Sequence, residues 1–346
     1  MNSTVTQFQS QTALSDRLER PMRDLRVSVI DRCNYRCPYC MPAEIYGESH
    51  KFLPRAHWLT PGELKRVAGL FVGLGVNKLR ITGGEPLLRR DLNEIVAGLA
   101  ELDGVDDLAL TTNGARLAKR AVELRAAGLK RITVSLDSLD EAVCREMNGG
   151  RGDVATVLKG IEAAMNAGFE PIKINVMVQR TINDHTVLDL VEHFRGTGII
   201  VRFIEYMDVG TLNGWQADQV VSSKVLLDRI AGRWPVEALQ SNYRGEVAKR
   251  YAFTDGKGEI GFISSVSEPF CGDCHRARLS AEGTLYTCLF ANHGTDLRGA
   301  LRAGASDADL VGLLQNVWRN RADRYSELRG EKITREQRVE MYRMGG

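Results

Sequence analysis

Residues 25–40 read LRVSVIDRCNYRCPYC, and this stretch decides how the rest of the chain is interpreted. Its first half, Leu25–Ile30, is apolar and rich in β-branched residues, which predicts a β-strand. Its second half places Cys33, Cys37 and Cys40 on the loop directly after that strand. The stretch therefore predicts a strand whose carboxyl end carries three thiols.

Strand-like and helix-like stretches alternate from about residue 24 to residue 205, which is typical of βα units around a parallel sheet. The first helix is predicted to begin at Thr60-Pro61-Gly62-Glu63, where a capping threonine precedes proline and glutamate. The further strands are predicted at residues 78–82, 107–111, 131–135, 172–178 and 200–205. Six βα units are too few for a closed eight-stranded barrel, so the predicted fold class is α/β, a partial TIM-type barrel.

The character of the sequence changes after about residue 245. Short alternating runs at 247–253 and 259–266 surround three further cysteines, and a helical stretch follows at 307–320. We therefore predict a barrel over residues 21–244 and a smaller C-terminal α+β domain over residues 245–346, which ends in Gly345-Gly346. Residues 1–20 are predicted to be a disordered lead-in.

Composition limits the class of protein. The chain has 346 residues, of which 43% are hydrophobic and 26% are charged, as in a globular protein with a substantial core. Its formal charge of +2, with no basic stripe, argues against a nucleic-acid binder. No apolar run reaches the roughly 18 residues of a membrane span, and the N-terminus lacks a secretory signal, so we predict a cytoplasmic protein. Seven cysteines without an export signal favour metal binding over disulfides.

Unusual polar residues occur where the predicted strands end. Gly83-Gly84-Glu85-Pro86 follows the second strand, Thr111-Thr112-Asn113 ends the third, and Ser135-Leu136-Asp137 ends the fourth. Glu205-Tyr206-Met207 ends the sixth. Functional groups of parallel barrels gather at the carboxyl ends of the strands. These segments and the first cysteine triplet therefore predict one site on one face.

The first triplet has the spacing Cys33-x3-Cys37-x2-Cys40. A cubane iron–sulfur cluster takes one thiolate per iron, so three cysteines leave one iron open to a small molecule. A zinc knuckle is the alternative, although zinc sites usually bring two pairs of ligands. The spacing, with Tyr39 before the third cysteine, resembles that of the radical S-adenosylmethionine (SAM) enzymes.

That resemblance implies a specific chemistry. The open iron would chelate the amino and carboxyl groups of SAM, and one-electron reduction would release a 5′-deoxyadenosyl radical that abstracts hydrogen from the substrate. Gly83-Gly84-Glu85-Pro86 matches the family's segment for the SAM amino group. Its glycines would allow close backbone approach, and Glu85 would suit the cationic amine.

A second triplet, Cys271-x2-Cys274-x13-Cys288, again offers three ligands. Two alternatives stay open for its fourth ligand: His275 could complete a Cys3His zinc site, or Cys144 could be supplied from the core. The other interpretation is a second cluster with its own open iron.

Arg276 and Arg278 alternate beside the second ligand of this triplet. On an extended segment they share one face and could hold a polyanion, although two solvated arginines would look the same in sequence. With the triplets and the Gly-Gly terminus, these residues resemble the GTP 3′,8-cyclases of molybdenum-cofactor biosynthesis. The likeness runs from residue 21 to residue 346 and includes the segments 80–86, 202–208 and 324–326.

The narrower resemblance implies a role for each matching residue. The ligands implied for two four-iron clusters are Cys33, Cys37 and Cys40 for the first, and Cys271, Cys274 and Cys288 for the second, which would meet the guanine. The residues implied for SAM are Tyr39, Gly84, Ser135 and Met207. Those implied for GTP, mainly for its triphosphate, are Arg26, Arg80, Thr111, Lys173, Arg276, Ala277 and Arg278. The first triplet and the arginines at 276 and 278 would be catalytic.

The implied reaction is a radical cyclisation that begins molybdenum-cofactor biosynthesis. Hydrogen leaves C3′ of the GTP ribose, C3′ attacks C8 of guanine, and (8S)-3′,8-cyclo-7,8-dihydroguanosine 5′-triphosphate results. The implied partners are GTP, a flavodoxin-like one-electron reductant and a downstream cyclic pyranopterin monophosphate synthase, with no nucleic acid and no membrane. The chain would act as a homodimer or a monomer, and its terminal glycines would reach into the active site.

Three other functions compete with this one. A radical SAM peptide-modifying or maturation enzyme with an auxiliary cluster would usually carry a longer, more cysteine-rich C-terminal region. An iron–sulfur electron carrier would prefer fully ligated clusters, because an open iron invites oxygen damage. A structural zinc protein that binds nucleic acid would need a basic stripe. Two incomplete triplets therefore favour catalysis.

Overall fold

The computed structural model of this chain describes residues 14–329 and 338–345. Part of the predicted lead-in, residues 1–13, and the last residue, Gly346, lie outside the described residues.

The described strands form one twelve-stranded mixed sheet. They are β1 (Asp24–Ser28), β2 (Lys78–Thr82), β3 (Asp107–Thr112), β4 (Arg131–Ser135), β5 (Lys173–Val178), β6 (Ile200–Glu205), β7 (Val236–Leu239), β8 (Lys249–Phe253), β9 (Glu259–Ile263), β10 (Arg276–Leu279), β11 (Thr284–Tyr286) and β12 (Thr295–Asp296). Their order is β12-β11-β10-β1-β2-β3-β4-β5-β6-β9-β8-β7. Strands β1 to β6 are parallel neighbours, so the predicted partial barrel of six βα units is confirmed.

Helices connect the strands and cover the outside of the sheet. They are α1 (Pro61–Gly73), α2 (Leu92–Ala100), α3 (Ala121–Ala126), α4 (Glu141–Asn148), α5 (Val154–Asn166), α6 (Val187–Phe194), α7 (Ser223–Ala231), α8 (Leu297–Arg302), α9 (Asp307–Arg319), α10 (Tyr325–Leu328) and α11 (Met341–Met344). The predicted start of α1 is present, since the Thr60 and Glu63 side chains each accept the other's amide hydrogen. Across the described residues, no helix combines the length and the apolar character that a membrane span requires.

The two faces of the inner strands differ in chemistry. On β1, Leu25 and Val27 point outward into the hydrophobic core, where Phe71 of α1 is also buried. The alternate residues Asp24 and Arg26 line a cavity inside the barrel. The apolar face therefore holds the helices on the sheet, while the polar face is left for a ligand.

The strands after residue 245 extend the barrel sheet at both edges. Strand β9 pairs in parallel with β6, and β10 pairs in parallel with β1. The division into two domains at residue 245 stays a prediction, because the strands on either side of it belong to one sheet. This arrangement places the second cysteine triplet beside the first strand of the barrel.

The end of the predicted lead-in is folded rather than disordered. Ser15 pairs with Pro21 in an isolated β-bridge. Asp16 Oδ2 lies 2.6 Å from Arg20 Nε in a buried ion pair. The Arg17 amide donates to the Arg321 carbonyl at 3.2 Å. The prediction for residues 14–20 is corrected here because this segment also bonds to Arg321, a distant partner that local sequence does not reveal.

Candidate active site

The first triplet lies on the loop after β1. The amides of Cys40 and Met41 both donate to the Cys37 carbonyl, at 3.0 and 2.8 Å, which folds the loop into a tight turn. The thiols are free, and burial raises the pKa of Cys33 and of Cys40 to about 12. Burial, and then the neighbouring Cys33 and Cys40 thiols, raise the pKa of Cys37 well above its usual value. The charges of neighbouring thiols thus contribute to the raised pKa values of Cys37 and Cys40.

Gly84 holds this loop against the end of β2. Its amide donates to the Ile30 carbonyl at 2.7 Å, and the Glu85 amide donates to the Arg32 carbonyl at 2.8 Å. A Cβ on Gly84 would lie 2.3 Å from the Arg32 carbonyl oxygen, so only glycine fits there. The predicted close backbone approach is therefore made to the cysteine loop, and a contact of Gly84 with SAM stays a prediction.

The Glu85 carboxylate accepts three hydrogen bonds from neutral donors, and a contact with the SAM amine stays a prediction. Its Oε1 accepts from the Leu87 amide at 2.9 Å and from the Thr112 hydroxyl at 2.7 Å, and its Oε2 accepts from the Asn113 amide at 2.8 Å. Asn113 Nδ2 in turn lies 3.8 Å from the Cys33 sulfur. A carboxylate that is 1% exposed needs such donors, so Glu85 ties the end of β3 to the cysteine loop.

Tyr39 links the same loop to β4 and β5. Its hydroxyl donates to Asp137 Oδ2, and the Met177 amide donates to Asp137 Oδ1, both at 2.8 Å. Burial raises the pKa of Asp137 to about 6, although both hydrogen bonds oppose this. All three residues line the cavity inside the barrel.

The second triplet lies at the same cavity. The Cys274 amide donates to the Cys271 carbonyl at 3.1 Å, and Cys288 follows β11. The Cys274 sulfur accepts from the guanidinium groups of Arg276 and Arg321, both at 3.2 Å. Burial raises the pKa of the Cys274 thiol, but the two arginines outweigh burial and lower this pKa to about 6.

The two alternative fourth ligands of the second triplet are absent from the cavity lining. His275 directly follows Cys274, and its ring centroid lies 6.2 Å from that of Tyr243. Cys144 is buried in the barrel core on α4, where Asn148 Nδ2 lies 3.6 Å from its sulfur. The described structure thus gives the second triplet three cysteine sulfurs and no histidine.

Arginines form a row across three neighbouring strands inside the barrel. Arg26 on β1 is in register with Arg278 on β10 and with Arg80 on β2. Burial, and then the neighbouring arginines, lower the pKa of Arg26 well below its usual value and that of Arg278 to about 10. Within the described residues, the Nε atoms of Arg26 and Arg80 are buried without a hydrogen-bond partner. Buried cations with unused donors are suited to an anion.

Two further cations lie across the cavity from this row. Burial, followed by the charge of Arg202, lowers the pKa of Lys173 to about 7, and burial lowers the pKa of Arg202 to about 9. Arg202 was missed as a site residue by the sequence analysis. The available signal was its position, since a charged residue in the middle of a strand that is buried on both faces must point into the barrel.

One cavity joins most of the predicted site residues. Those that line it are Arg26, Tyr39, Arg80, Thr111, Ser135, Lys173, Met207, Cys271, Cys274, Arg276, Arg278 and Cys288. Additional lining residues that were not predicted include Lys78, Arg131, Asn175 and Arg202. The first triplet and Gly84 lie outside this lining, and Tyr39 brings their loop to the cavity. Ala277 was predicted to contact GTP, but its side chain lies in the hydrophobic core on the opposite face of β10 and not in the cavity.

The end of the described chain enters the barrel. Arg278 Nη1 donates to the Gly345 carbonyl at 2.8 Å. Gly345 has a φ of 69°, and a Cβ there would lie 2.0 Å from the Thr82 side chain. Glycine is required at this position, which brings the tail to the row of arginines.

Each triplet offers three thiols, the number that leaves one iron of a four-iron cluster open. Residues 14–329 and 338–345 hold no group of three or more His, Cys, Asp or Glu side chains that converge on one metal ion. A zinc ion would bring three thiolates to about 3.8 Å from one another, given Zn–S bonds of roughly 2.3 Å. The thiolates of a four-iron cluster bind different irons, so three thiols that do not converge on a single ion can still be its ligands.

The fold and the first triplet define a radical SAM enzyme, a class that uses SAM and a four-iron cluster. The Radical SAM superfamily matches residues 27–194, and the family Molybdenum Cofactor Synthesis C matches residues 199–327. The solved structure of Streptococcus suis SuiB bound to S-adenosylmethionine has the same fold. It superposes with a TM-score of 0.58 and 16% identity, over 90% of this chain and 69% of that one.

Within that class, the chain belongs to the GTP 3′,8-cyclase family. A GTP 3′,8-cyclase of Xanthomonas campestris pv. campestris is 55% identical over 97% of this chain and 98% of its own length. That of Acidothermus cellulolyticus is 52% identical over 91% of this chain and 88% of its own length. That of Staphylococcus carnosus is 45% identical over 96% of this chain and 99% of its own length.

Proposed function

We propose that this chain is a GTP 3′,8-cyclase that catalyses the first step of molybdenum-cofactor biosynthesis. The observation that carries the proposal is the cavity itself, in which a row of buried arginines faces the second cysteine triplet. Tyr39 reaches the same cavity from the loop of the first triplet. Family membership at 55% identity supports the same activity.

The reaction forms a carbon–carbon bond within GTP. When bound, SAM and a reduced cluster on the first triplet supply the 5′-deoxyadenosyl radical that takes hydrogen from C3′ of the ribose. C3′ then attacks C8 of guanine, and one further electron and one proton convert the resulting nucleotide radical to (8S)-3′,8-cyclo-7,8-dihydroguanosine 5′-triphosphate. The barrel wall holds the ribose in one orientation.

The triphosphate is the part of GTP that the barrel binds through charge. Arg26, Arg80 and Arg278 supply adjacent guanidinium groups, and Lys173 and Arg202 supply charge from the other side. A triphosphate of about four negative charges satisfies the unused donors and relieves the repulsion among the buried cations. The sequence has no Gly-x4-Gly-Lys-Ser/Thr loop. The phosphates therefore serve to bind GTP and are not transferred or released in the reaction.

SAM is placed between the first triplet and the cavity. Gly84 holds the cysteine loop, while Tyr39, Ser135 and Met207 line the cavity beside it. We assign these four residues to the SAM pocket, with Thr111 at the boundary between SAM and GTP. Such an arrangement sets the radical beside the ribose rather than in solvent.

A second four-iron cluster is assigned to Cys271, Cys274 and Cys288. Three ligands leave one iron for the guanine base, and Arg276 lies next to that ligand set and in the cavity. Gly345 accepts from Arg278, so the tail borders the nucleotide site. The base is thereby fixed at one end of the cavity and the triphosphate along its wall.

The remaining partners follow from the chemistry. The reaction consumes two electrons, one to cleave SAM and one to reduce the cyclised nucleotide radical. A flavodoxin-like protein would deliver them, and the product would be the substrate for a cyclic pyranopterin monophosphate synthase. We place the chain in the cytoplasm, as a homodimer or a monomer.

Anaerobic turnover tests the proposal. The reconstituted chain is incubated with SAM, dithionite and GTP, and 5′-deoxyadenosine and nucleotide products are measured. The expected result is GTP-dependent formation of 5′-deoxyadenosine and of one cyclised nucleotide. With GTP deuterated at C3′, the deuterium is expected in the 5′-deoxyadenosine. Formation of 5′-deoxyadenosine that ATP supports as well as GTP, with no cyclised nucleotide, would overturn the assignment.

A further inference from the structure

A buried ion network lies behind the second triplet, on the side away from the cavity. Asp16 Oδ2 lies 2.6 Å from Arg20 Nε and 3.0 Å from Arg321 Nη1, and these side chains are at most 1% exposed. Asp16 Oδ1 also accepts from the amides of Leu18 and Arg20, each at 2.9 Å. One carboxylate thus holds two guanidinium groups in fixed positions.

Arg321 directs its donors at two of the three ligand segments. Its Nη2 donates to the Cys274 sulfur at 3.2 Å, and its Nη1 donates to the Cys274 carbonyl at 2.7 Å. Its Nε donates to the carbonyl of Thr287, the residue before Cys288, at 3.0 Å. The guanidinium also stacks over the Trp318 ring at 4.6 Å, which fixes its plane.

Arg20 reaches the remaining segment. Its Nη1 donates to the Cys271 carbonyl at 2.7 Å and to the Asp323 carbonyl at 2.8 Å. The indole of Trp318 donates to the Arg20 carbonyl at 3.1 Å. Between them, the two arginines touch the chain at each position from which a ligand of the second triplet projects.

We propose that Asp16, Arg20 and Arg321 form a clamp that positions the three ligands of the second cluster, and that Arg321 raises the reduction potential of that cluster. The proposal rests on the second cluster assigned above. Arg321 is a positioning residue, because it touches a ligand sulfur but does not line the cavity. Outer partners of this kind orient ligands and tune the metal.

The effect on potential follows from charge. Reduction adds negative charge to a cluster and its thiolates, and a cation that donates to a ligand sulfur stabilises that added charge. Removing Arg321 therefore makes the second cluster harder to reduce. The first cluster has no contact with this network, so within one chain it serves as the internal reference.

The test compares Arg321→Gln, Arg321→Lys and wild type after anaerobic reconstitution. The matched control is Arg319→Gln, an exposed arginine on the last turn of α9. Iron release to a chelator and EPR-monitored redox titration are measured for each cluster, and the change that added SAM causes in the EPR signal of the first cluster reports that cluster and the fold. The readouts thus separate ligand geometry and potential from overall stability.

Arg321→Gln is expected to lose iron from the second triplet about 10-fold faster or more, with a more negative potential for the cluster that remains. Arg321→Lys, which keeps the charge, is expected to restore the potential in part. Should Arg321→Gln fail to fold, the Arg321→Lys variant still tests the proposal. A lysine carries one charged group and cannot make all three hydrogen bonds of Arg321, to the Cys274 sulfur, the Cys274 carbonyl and the Thr287 carbonyl. Iron release from the second triplet must therefore stay faster in this variant than in wild type.

Two results would overturn the clamp: unchanged release and potential in both variants, or equal loss from both clusters in each variant. The proposed function fails in a different way. A wild-type chain that takes up only one cluster's iron refutes the second cluster itself, whereas two clusters with an unaffected Arg321→Gln variant refute the clamp alone.

Discussion

Carboxylates contribute to the raised pKa of two thiols in the first triplet, whereas arginines lower the pKa of one thiol in the second. Burial and the Glu85 charge raise the pKa of Cys33, and the charge of Asp137 adds to the rise at Cys37. Arg276 and Arg321 instead lower the pKa of Cys274 despite its burial. The contrast is thus between Cys33 and Cys37 on one loop and Cys274 beside two arginines, since burial and the charge of Asp323 raise the pKa of Cys288 to about 12.

This difference suits two different tasks. Negative neighbours disfavour an added electron, so a cluster on the first triplet is a strong reductant, which SAM cleavage requires. Positive neighbours favour an anionic ligand, so the second triplet suits the binding of a nucleotide. We expect the potential of the first cluster to be the more negative of the two.

Removing one ligand from the first triplet gives the largest expected effect. Cys37→Ala is expected to abolish 5′-deoxyadenosine formation, because the cluster that reacts with SAM loses one of its three ligands, while the second triplet keeps its iron. Chromatography of the anaerobic reaction and iron analysis measure both. Cys144→Ser is the control and is expected to keep both clusters and full activity. Production of 5′-deoxyadenosine by Cys37→Ala would contradict the separation of tasks.

The basic setting can be weakened at a residue that touches neither triplet. Arg80→Ala is expected to weaken GTP binding by about 10- to 100-fold, the effect of one lost charge-assisted hydrogen bond. SAM binding is expected to change little. Equilibrium dialysis under anaerobic conditions measures both ligands, with the exposed Lys159→Gln on α5 as the control. Equal weakening of SAM and GTP would show that the two ligands do not divide the cavity as proposed.

The basic setting also predicts a pH dependence. Lys173 has a pKa lowered to about 7 by burial and by Arg202, Arg131, Arg80 and Lys78, and a bound triphosphate would raise that pKa. Only the protonated amine of Lys173 attracts the triphosphate. The contribution of Lys173 to GTP affinity is therefore fully present below pH about 7 and is lost as the pH rises above that value. Between about pH 7.5 and 8.5, where GTP is fully ionised, we expect the Kd to rise roughly threefold or more.

Lys173→Arg keeps its charge over this range and is expected to flatten the profile. Identical profiles for Lys173→Arg and wild type would remove Lys173 as the titrating group.

The smallest expected effect concerns the link between the first loop and the barrel. Tyr39→Phe removes the hydrogen bond to Asp137 and leaves the ring in place. A hydrogen bond to a carboxylate contributes about 1.5 kcal/mol or more, but the Gly84 and Glu85 amides still hold the loop, so the KM for SAM is expected to rise only about twofold, with iron content unchanged. Steady-state kinetics at saturating GTP measures this. A loss of iron in this variant would mean that Tyr39 positions the cluster ligands rather than SAM.

Local patterns predicted those parts of the site that are close in sequence. The spacing of Cys33, Cys37 and Cys40 and the strand before them predicted the first loop, and the alternation of Arg276 and Arg278 predicted their common face. Ala277 was predicted to contact GTP by the same match, but its side chain must point to the opposite face of a strand.

Contacts between distant segments could not be predicted in this way. The pairing of β10 with β1 brings Arg278 beside Arg26, and Asp16 meets Arg321, yet neither pair leaves a local mark in the sequence. Two of the donors to Glu85 come from the end of β3 and the residue after it, and the local sequence around Glu85 does not reveal them.

The most direct test of the account is EPR of the second cluster as GTP is added. In a chain with Cys33, Cys37 and Cys40 all changed to Ala, only the second triplet can hold a cluster, and its reduced signal is recorded with GTP and with ATP. The account predicts that GTP shifts the signal, that ATP does not reproduce the shift, and that Arg80→Ala raises the GTP concentration required. A signal that GTP leaves unchanged at saturation would contradict the claim that the second triplet binds the substrate.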